Sequence, residues 1–518
     1  MTTTSSPNPT RTRAWSLSAV AAAFLVGVLV AALVMPERDE VVLREGAAGT
    51  PGSLAGGGSA AAGSAAAGRR TAGVAARGGG SDGSGGGAGG AAAAGSGVAA
   101  GVPGAPGGGS GGSGGGAGGG RSTARGVDAT TVTVGFGLPD LGAIAALGPG
   151  YDQGDPRQHV EAILAELRAT GRLPVHGRDI VPVYSSYNIL SPEAQRATCE
   201  RFGNDDSVFA VVAIHDFGAG AECVAAEYGL PLFTSDGQPD PVYERSGPNL
   251  FTMQMSADRL FRNYVAWADQ GGYLDGKKIG VYYPSDPELA QLVQRSVLEP
   301  LERLGHDVVS EVQTAEPNTG GPTDSVAVQR FRTDGVEVAV LVVSALAKTN
   351  FFNQAESQLY RPTYLENDAG FSTTDTATST YPRAHFDGTR AFTGMRFGEL
   401  RSGLPEPAEA AWCRAAIKNQ TGNDIPVQGR DAEYIAANQS CDEILTVLHG
   451  LEQAGPELTA ERFIAGVETI QDRPTGIHGN VGFGPGRHDG VRTWREIRWH
   501  GDCTCWKVAS DMRPLLVD

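Results

Sequence analysis

The chain is short of positive charge, and very little of what it has is lysine. Five lysines and 36 arginines stand against 58 acidic residues, giving a formal net charge of −17 and a pI near 5.0. An acidic surface repels phosphate backbones and anionic lipid heads, which excludes nucleic acid as a partner. The chemistry-bearing motifs are missing too. There is no GxxxxGK[ST], no HExxH, and no GxSxG elbow outside a low-complexity Gly/Ser tract, which removes P-loop ATPases, zinc proteases and serine-elbow hydrolases. The nine histidines include no pair at metal-ligand helical spacing, so no metal and no cofactor are expected. GFGLPDLG (135–142) places Gly-x-Gly after an apolar run, but its third glycine is misplaced for a dinucleotide site. No catalytic residue is expected, and the chain reads as a non-enzyme.

From Gly46 to Gly126 large side chains are all but absent. A Gly/Ala/Ser tract without apolar periodicity has nothing to bury, so residues 36–127 are expected to form a disordered linker. Long apolar runs are scarce as well. The one that exists, Ala14 to Met35, is 22 residues without a charge, preceded by Arg11 and Arg13. Its length matches the roughly 20 residues that a bilayer requires, and the flanking arginines keep the N-terminus inside. Residues 1–13 are then a cytoplasmic N-terminus and 14–35 a transmembrane anchor, with a cleaved signal as the alternative. Either way, the chain beyond residue 35 is extracytoplasmic, on the outer face of the cell membrane or secreted.

No cysteine precedes Cys199, and all six lie beyond the linker. Export makes disulfides the economical reading, and sequence proximity favours Cys199 with Cys223 and Cys413 with Cys441. Cys503 and Cys505 are two apart, where a bridge would be strained. A metal site there, helped by His500, lacks a second ligand pair.

After Thr131 the pattern becomes regular. Apolar strands are expected at 131–136, 179–184, 208–214, 231–234, 278–283, 307–313, 336–344 and 363–367. Amphipathic helices separate them, two of them opening at Ser191 and Ser256. Strands alternating with helices make parallel sheets covered on both faces. A break near 245–256 divides the series in two. The expected fold is therefore α/β, with two doubly wound lobes. Lobe 1 spans 128–255, completed by about 386–470, and lobe 2 spans 256–385, completed by about 471–518. Ligands of such sheets sit outside the carboxyl ends of the strands, here in a cleft between the lobes.

Several phrases, in order, carry a resemblance: GRDIVPVY, PEAQRATCERF before DDSVFAVVAI, AAEYGLPLFTSD, NLFTMQMSADRLFRNYVAWA, GKKIGVYY, VEVAVLVVSALAKTNFFNQAESQLYRPTYLEND and LHGLEQAGPELTAERFIAGVETI. Residues 128–518 resemble the type I periplasmic substrate-binding proteins of ABC importers, in the branch of the leucine/isoleucine/valine-binding proteins. Two departures stand out. RATGRLPVHG replaces the family's Asn-Ala-Gly-Gly-Ile-like phrase, and the lipid-attachment cysteine of anchored members is missing, so anchoring falls to the apolar run.

The resemblance implies that loops after the third and fourth strands hold a ligand's carboxylate. The matching positions are Phe217, Gly218 and Ala219, then Ser235, Asp236 and Gly237. Phe217 and Asp236 replace small hydroxyl residues, and Asp236 would repel a carboxylate. From the second lobe the resemblance brings Tyr283, Ser344, and Asp368 beside Glu366 and Asn367, with the acidic residue meeting an ammonium group. Each has a plainer alternative: core packing for Phe217, turn formation for Asp236, strand-end capping for Tyr283 and Ser344.

The function this implies is capture of a small polar molecule (an amino acid, amide or related organic acid) for a separate ABC permease, by a monomer. A membrane-tethered sensor acting through a partner is the alternative, and an extracytoplasmic enzyme the third. A linker of about 80 residues reaches roughly 50 Å r.m.s., enough to hold the lobes clear of the membrane. If the anchor is uncleaved, Edman sequencing of the membrane fraction will find the native N-terminus. A start at Pro36 or later refutes it.

Overall fold

The computed structural model describes residues 124–518, apart from 141–151, 190, 216, 318–319 and 430. The segment expected to span the membrane at 14–35 and nearly all of the expected linker lie outside the described residues. The linker's expected end is already part of the fold, because Val127 is buried and bridges to Val132. Among the described residues no helix is long and apolar enough to cross a membrane.

The first sheet contains β1 (Thr131–Pro139), β2 (Asp179–Tyr187), β3 (Ala210–Ala213), β4 (Leu232–Thr234) and β5 (Leu250–Thr252), in the order β2-β1-β3-β4-β5. All its pairs are parallel, with Val134 opposite Ala210 and Val211 opposite Leu232. Successive side chains on a strand point to opposite faces, and both faces here are apolar. Val132, Val134 and Phe136 share one buried cluster with Ile163, Leu164 and Leu167. Val211, Ala213 and Leu232 share another with Phe202 and Phe217. The helices that cover these faces begin where capping chemistry permits. Asp155 accepts hydrogen bonds from the N–H groups of Arg157 and Gln158 at the start of α1 (Pro156–Ala169). Ser191 does the same for α2 (Pro192–Glu200), each helix with proline at its first position. The short helices α3 (Gly218–Glu222) and α4 (Asp240–Ser246) follow β3 and β4.

The second sheet holds β6 (Lys278–Pro284), β7 (Asp307–Thr314), β8 (Val338–Leu341), β9 (Thr363–Glu366) and β10 (Arg390–Thr393), parallel in the order β7-β6-β8-β9-β10. Around it run α5 (Ala257–Gln270), α6 (Pro287–Val293), α7 (Pro322–Asp334) and α8 (Ala345–Ser357). Residues from 386 were expected to return to the first lobe. Instead β10 pairs with β9, and the return comes at α9 (Ala408–Thr421) and α10 (Asp431–Ala454), which lie along α1, followed by α11 (Ala460–Val467). A two-stranded ribbon, β11 (Arg473–Pro474) with β12 (Asn480–Val481), leads back to β13 (Thr493–His500). β13 adds to β10 antiparallel and pairs with β14 (Cys505–Val508) and β15 (Arg513–Pro514).

Cys199 is bonded to Cys223 and Cys413 to Cys441. A third bridge joins Cys503 to Cys505 in the turn between β13 and β14, where the sequence had suggested that a bridge would be strained. The second bridge ties α9 to α10, the pair that returns to the first lobe, and it closes a sequence separation of 28 residues. By the chain-entropy relation such a loop stabilises by about 3 kcal/mol. Replacing both Cys413 and Cys441 by serine is expected to lower the unfolding free energy from urea melts by about 3 kcal/mol, and an unchanged value would show that the bridge is energetically idle.

Candidate functional site

In each sheet the strand order reverses beside its first strand, and loops at the carboxyl ends of the strands open into one cavity of about 110 Å³. The first sheet supplies Gly218 and Ala219 after β3, and Asp236 and Gly237 after β4. The second supplies Asp368 to Phe371 after β9, and Glu288 and Leu289 from the start of α6, after β6. Gln254 and Met255, on the crossing segment between the lobes, close one side. That crossing explains the glycine at 237. A Cβ there would stand 1.6 Å from the carbonyl oxygen of Met255, so any side chain would push the loop off the crossing. The turn after β3 is as tightly specified, with His215 and Gly218 both at positive φ, a region open to glycine at no steric cost and costly for other residues.

The ionisable groups of this site are mostly acids. Asp236 Oδ2 is buried with no hydrogen-bond partner, and burial pushes the carboxyl up to about 7. Beside it Glu443, fully buried on α10, accepts a 2.6 Å hydrogen bond from Ser235 Oγ through Oε1, while its Oε2 has no partner. Burial, together with the charges of Asp236 and Asp442, raises Glu443 well above the carboxylate range despite the hydrogen bond from Ser235. Asp368 is pushed up to about 6 by burial, against hydrogen bonds from Thr373 and from the N–H of Gly394. At the rim Arg245 of α4 donates to Glu222 at 2.5 Å and reaches Glu288 of the other lobe at 3.5 Å. The N–H of Asp240 donates across the same seam to Asp258 at 2.8 Å, so the lobes meet along α4.

Five of the ten residues expected at the site line the cavity: Gly218, Ala219, Asp236, Gly237 and Asp368. The other five do not. The ring of Phe217 packs against Tyr187 at 4.9 Å in the core of the first lobe. Ser235 is turned toward Glu443. The Tyr283 hydroxyl is engaged by Glu311 and Gln313 on β7, Ser344 caps α8 through Ala347 N–H, and Asn367 accepts from the N–H of Ala369 in its own turn. Sequence reasoning missed Glu443, which stands behind the cavity wall against Ser235, and the apolar wall of Leu260, Phe261, Leu289 and Leu292. A signal for Glu443 was present. Between Ala437 and Ile444 the sequence reads NQSCDE, a polar stretch in the middle of a helix whose two ends are apolar enough to be buried, as all six of these residues are.

One residue before Glu443, Asp442 faces the other way. It accepts from the N–H groups of Gly476 and Ile477 and from His478 Nδ1 at 2.8 Å, tying α10 to the segment that crosses back to the second lobe. Burial alone would raise its carboxyl, but the hydrogen bond and charge of His478, with Glu409 and Arg473 assisting, bring it down to about 2. A second buried pair, Arg259 with Asp489 at 2.6 Å, fastens the start of α5 to the same crossing region.

This architecture has known counterparts. A family model described as periplasmic binding protein matches residues 131–503. Among solved structures, a possible leucine/isoleucine/valine-binding protein from Rhodopirellula baltica SH 1 superposes with a TM-score of 0.56 at 14% identity, over 74% of this chain and 97% of that one. A solute-binding protein of an ABC transporter from R. palustris in complex with 4-hydroxybenzoate gives 0.57 at 14% identity, over 74% and 97%. A branched-chain amino acid ABC transporter protein from Thermus thermophilus with bound valine gives 0.56 at 14%, again over 74% and 97%. No protein of curated function matches the chain. At such identities the structures carry the fold, and the family match is independent of them. The chain belongs to the periplasmic binding proteins, in their type I, two-lobed form. Members of this family are extracytoplasmic.

The carboxyls set opposite pH trends. Asp236 has a folded-state value near 7, above the unfolded value of about 3.9, so its favourable contribution is present at low pH and lost as pH rises from about 4 through 7. Asp442, depressed to about 2, stabilises above about pH 4 and loses that contribution as pH falls toward 2. Thermal melts of Asp236→Asn are expected to show a smaller drop in Tm between pH 5 and pH 8 than the parent, and an equal drop would show that Asp236 is not the group responsible.

Proposed function

We propose that this chain is an extracytoplasmic solute receptor. It closes its lobes on a small molecule and presents that molecule to an ABC-type permease, acting as a monomer held near the membrane by its N-terminal segment. The observation that supports this reading above all is the cavity itself. Its walls come from the carboxyl ends of both sheets and from a segment that crosses between them, so a molecule held there stabilises the closed arrangement of the lobes. The contents of two relatives point the same way, since the R. palustris protein holds 4-hydroxybenzoate and the Thermus thermophilus protein holds valine.

The cleft binds without reacting. Asp368 is held at both oxygens by its own lobe, and Ser235 is turned away from the cavity toward Glu443. Gln254 and Met255, on the crossing segment, touch the cavity directly, so occupancy is sensed where the lobes join.

The test is a thermal-shift screen of the full-length chain against small polar solutes, followed by uptake measurements on the hit. A solute at 100 times its Kd adds about 2.7 kcal/mol to stability. The hit is then expected to enter cells in an ATP-dependent manner that is lost when this chain is deleted. A bound solute whose uptake survives deletion would leave a receptor without an importer and overturn the transport reading.

A further inference from the structure

We propose that the cleft takes an organic cation, an apolar body ending in a protonated amine or amidine, and rejects a free carboxylate. This rests on the solute-receptor reading and names the chemistry of its ligand.

The wall carries four carboxyl side chains, Glu222, Asp236, Glu288 and Asp368. Among the described residues the one cation on it is Arg245, and its guanidinium is committed to Glu222 and Glu288. His215, after β3, is pushed down to about 4 by burial and is therefore neutral at physiological pH. Nothing on this wall offers a free positive charge to an anion.

Three donors at the ends of β3 and β4 are also engaged. The N–H of Ala219 donates to Gln195 Oε1 at 3.0 Å, the N–H of Gly220 to the carbonyl of Phe217 at 2.7 Å, and the Ser235 hydroxyl to Glu443 at 2.6 Å.

The unmet capacity is of the opposite kind. Asp236 Oδ2, on the cavity wall, has no partner, and Glu443 Oε2, behind that wall, is likewise unpartnered. A buried acceptor without a donor is costly, and the one on the wall calls for a group that brings N–H donors and positive charge. The rest of the enclosure is apolar: Val242, Leu260, Phe261, Leu289 and Leu292. An ammonium or amidinium end against Asp236, with a hydrocarbon or aromatic body along these side chains, satisfies both halves of the cleft.

Calorimetric titration of the full-length chain with matched series that differ only in the charged end tests this. Benzamidine, benzamide and benzoate form one series, and isoamylamine, isovaleramide and isovalerate the other. In at least one series the cation is expected to bind ten-fold or more tighter than the amide, with no detectable binding of the acid. Asp236→Asn keeps shape but removes the acidic group. It is expected to weaken the cation at least ten-fold and to leave the amide within two-fold, with circular dichroism unchanged. If an acid binds as well as its cation, the inference falls while the solute-receptor reading stands. If the cation binds but Asp236→Asn binds it like the parent, the placement at Asp236 falls. If no member of either series binds, the organic-cation proposal falls, and the receptor reading is then decided by the wider solute screen.

Discussion

Two adjacent carboxyls halfway along α10 hold this molecule's working parts together. Asp442 collects the N–H groups of Gly476 and Ile477 and the ring of His478, and so fixes where the chain leaves the first lobe for the last time. Glu443 collects the hydroxyl of Ser235, and so fixes the loop after β4 that forms the floor of the cleft. Consecutive residues on a helix point about 100° apart, so one turn of α10 serves both the crossing and the floor. Their environments separate them. Asp442, fully provided with donors, is a stable carboxylate, whereas Glu443, with one donor and two acidic neighbours, resists ionisation. A buried charge is tolerated where hydrogen bonds replace its hydration and is expensive where they do not.

That difference shapes the cleft. Parallel sheets whose carboxyl ends face each other converge their loops on a small volume, and in a periplasmic binding protein that volume is where the solute goes. In this chain the converging groups are acids and hydrocarbon. Donors that might have served an anion are turned inward to Gln195, Phe217 and Glu443, while acceptors remain unmet. The fold is shared with proteins that hold valine and 4-hydroxybenzoate. The polarity of a site is set by a few side chains on its loops, without disturbing the sheets beneath.

The departures from the sequence-based expectations have physical causes. Ser344 and Asn367 stand at strand ends, as expected, but a helix start and a tight turn each need a side-chain oxygen, and those local demands claim them first. Tyr283 points along the sheet to β7, and β7 answers with Glu311 and Gln313. Phe217 is too large and apolar to leave the core beside Tyr187. The return to the first lobe comes after 386 because β10 still has a partner edge on β9, and pairing it satisfies backbone groups that would otherwise be exposed.

By itself the sequence determined the alternation of strands and helices, the caps that start α1 and α2, and the acidic balance of the chain. All of these arise from local periodicity and side-chain chemistry that operate within a few residues. It also placed Asp236 and Asp368 at strand ends, since a strand followed by a polar turn is legible in one dimension. Only the tertiary structure decided that Glu443, some two hundred residues from Ser235, meets its hydroxyl, that Arg245 is spent on acids from both lobes, and that Asp368 is satisfied within its own lobe. Whether a polar group is free to bind depends on the donors and acceptors that packing brings to it across the chain, and no spacing along the sequence encodes that.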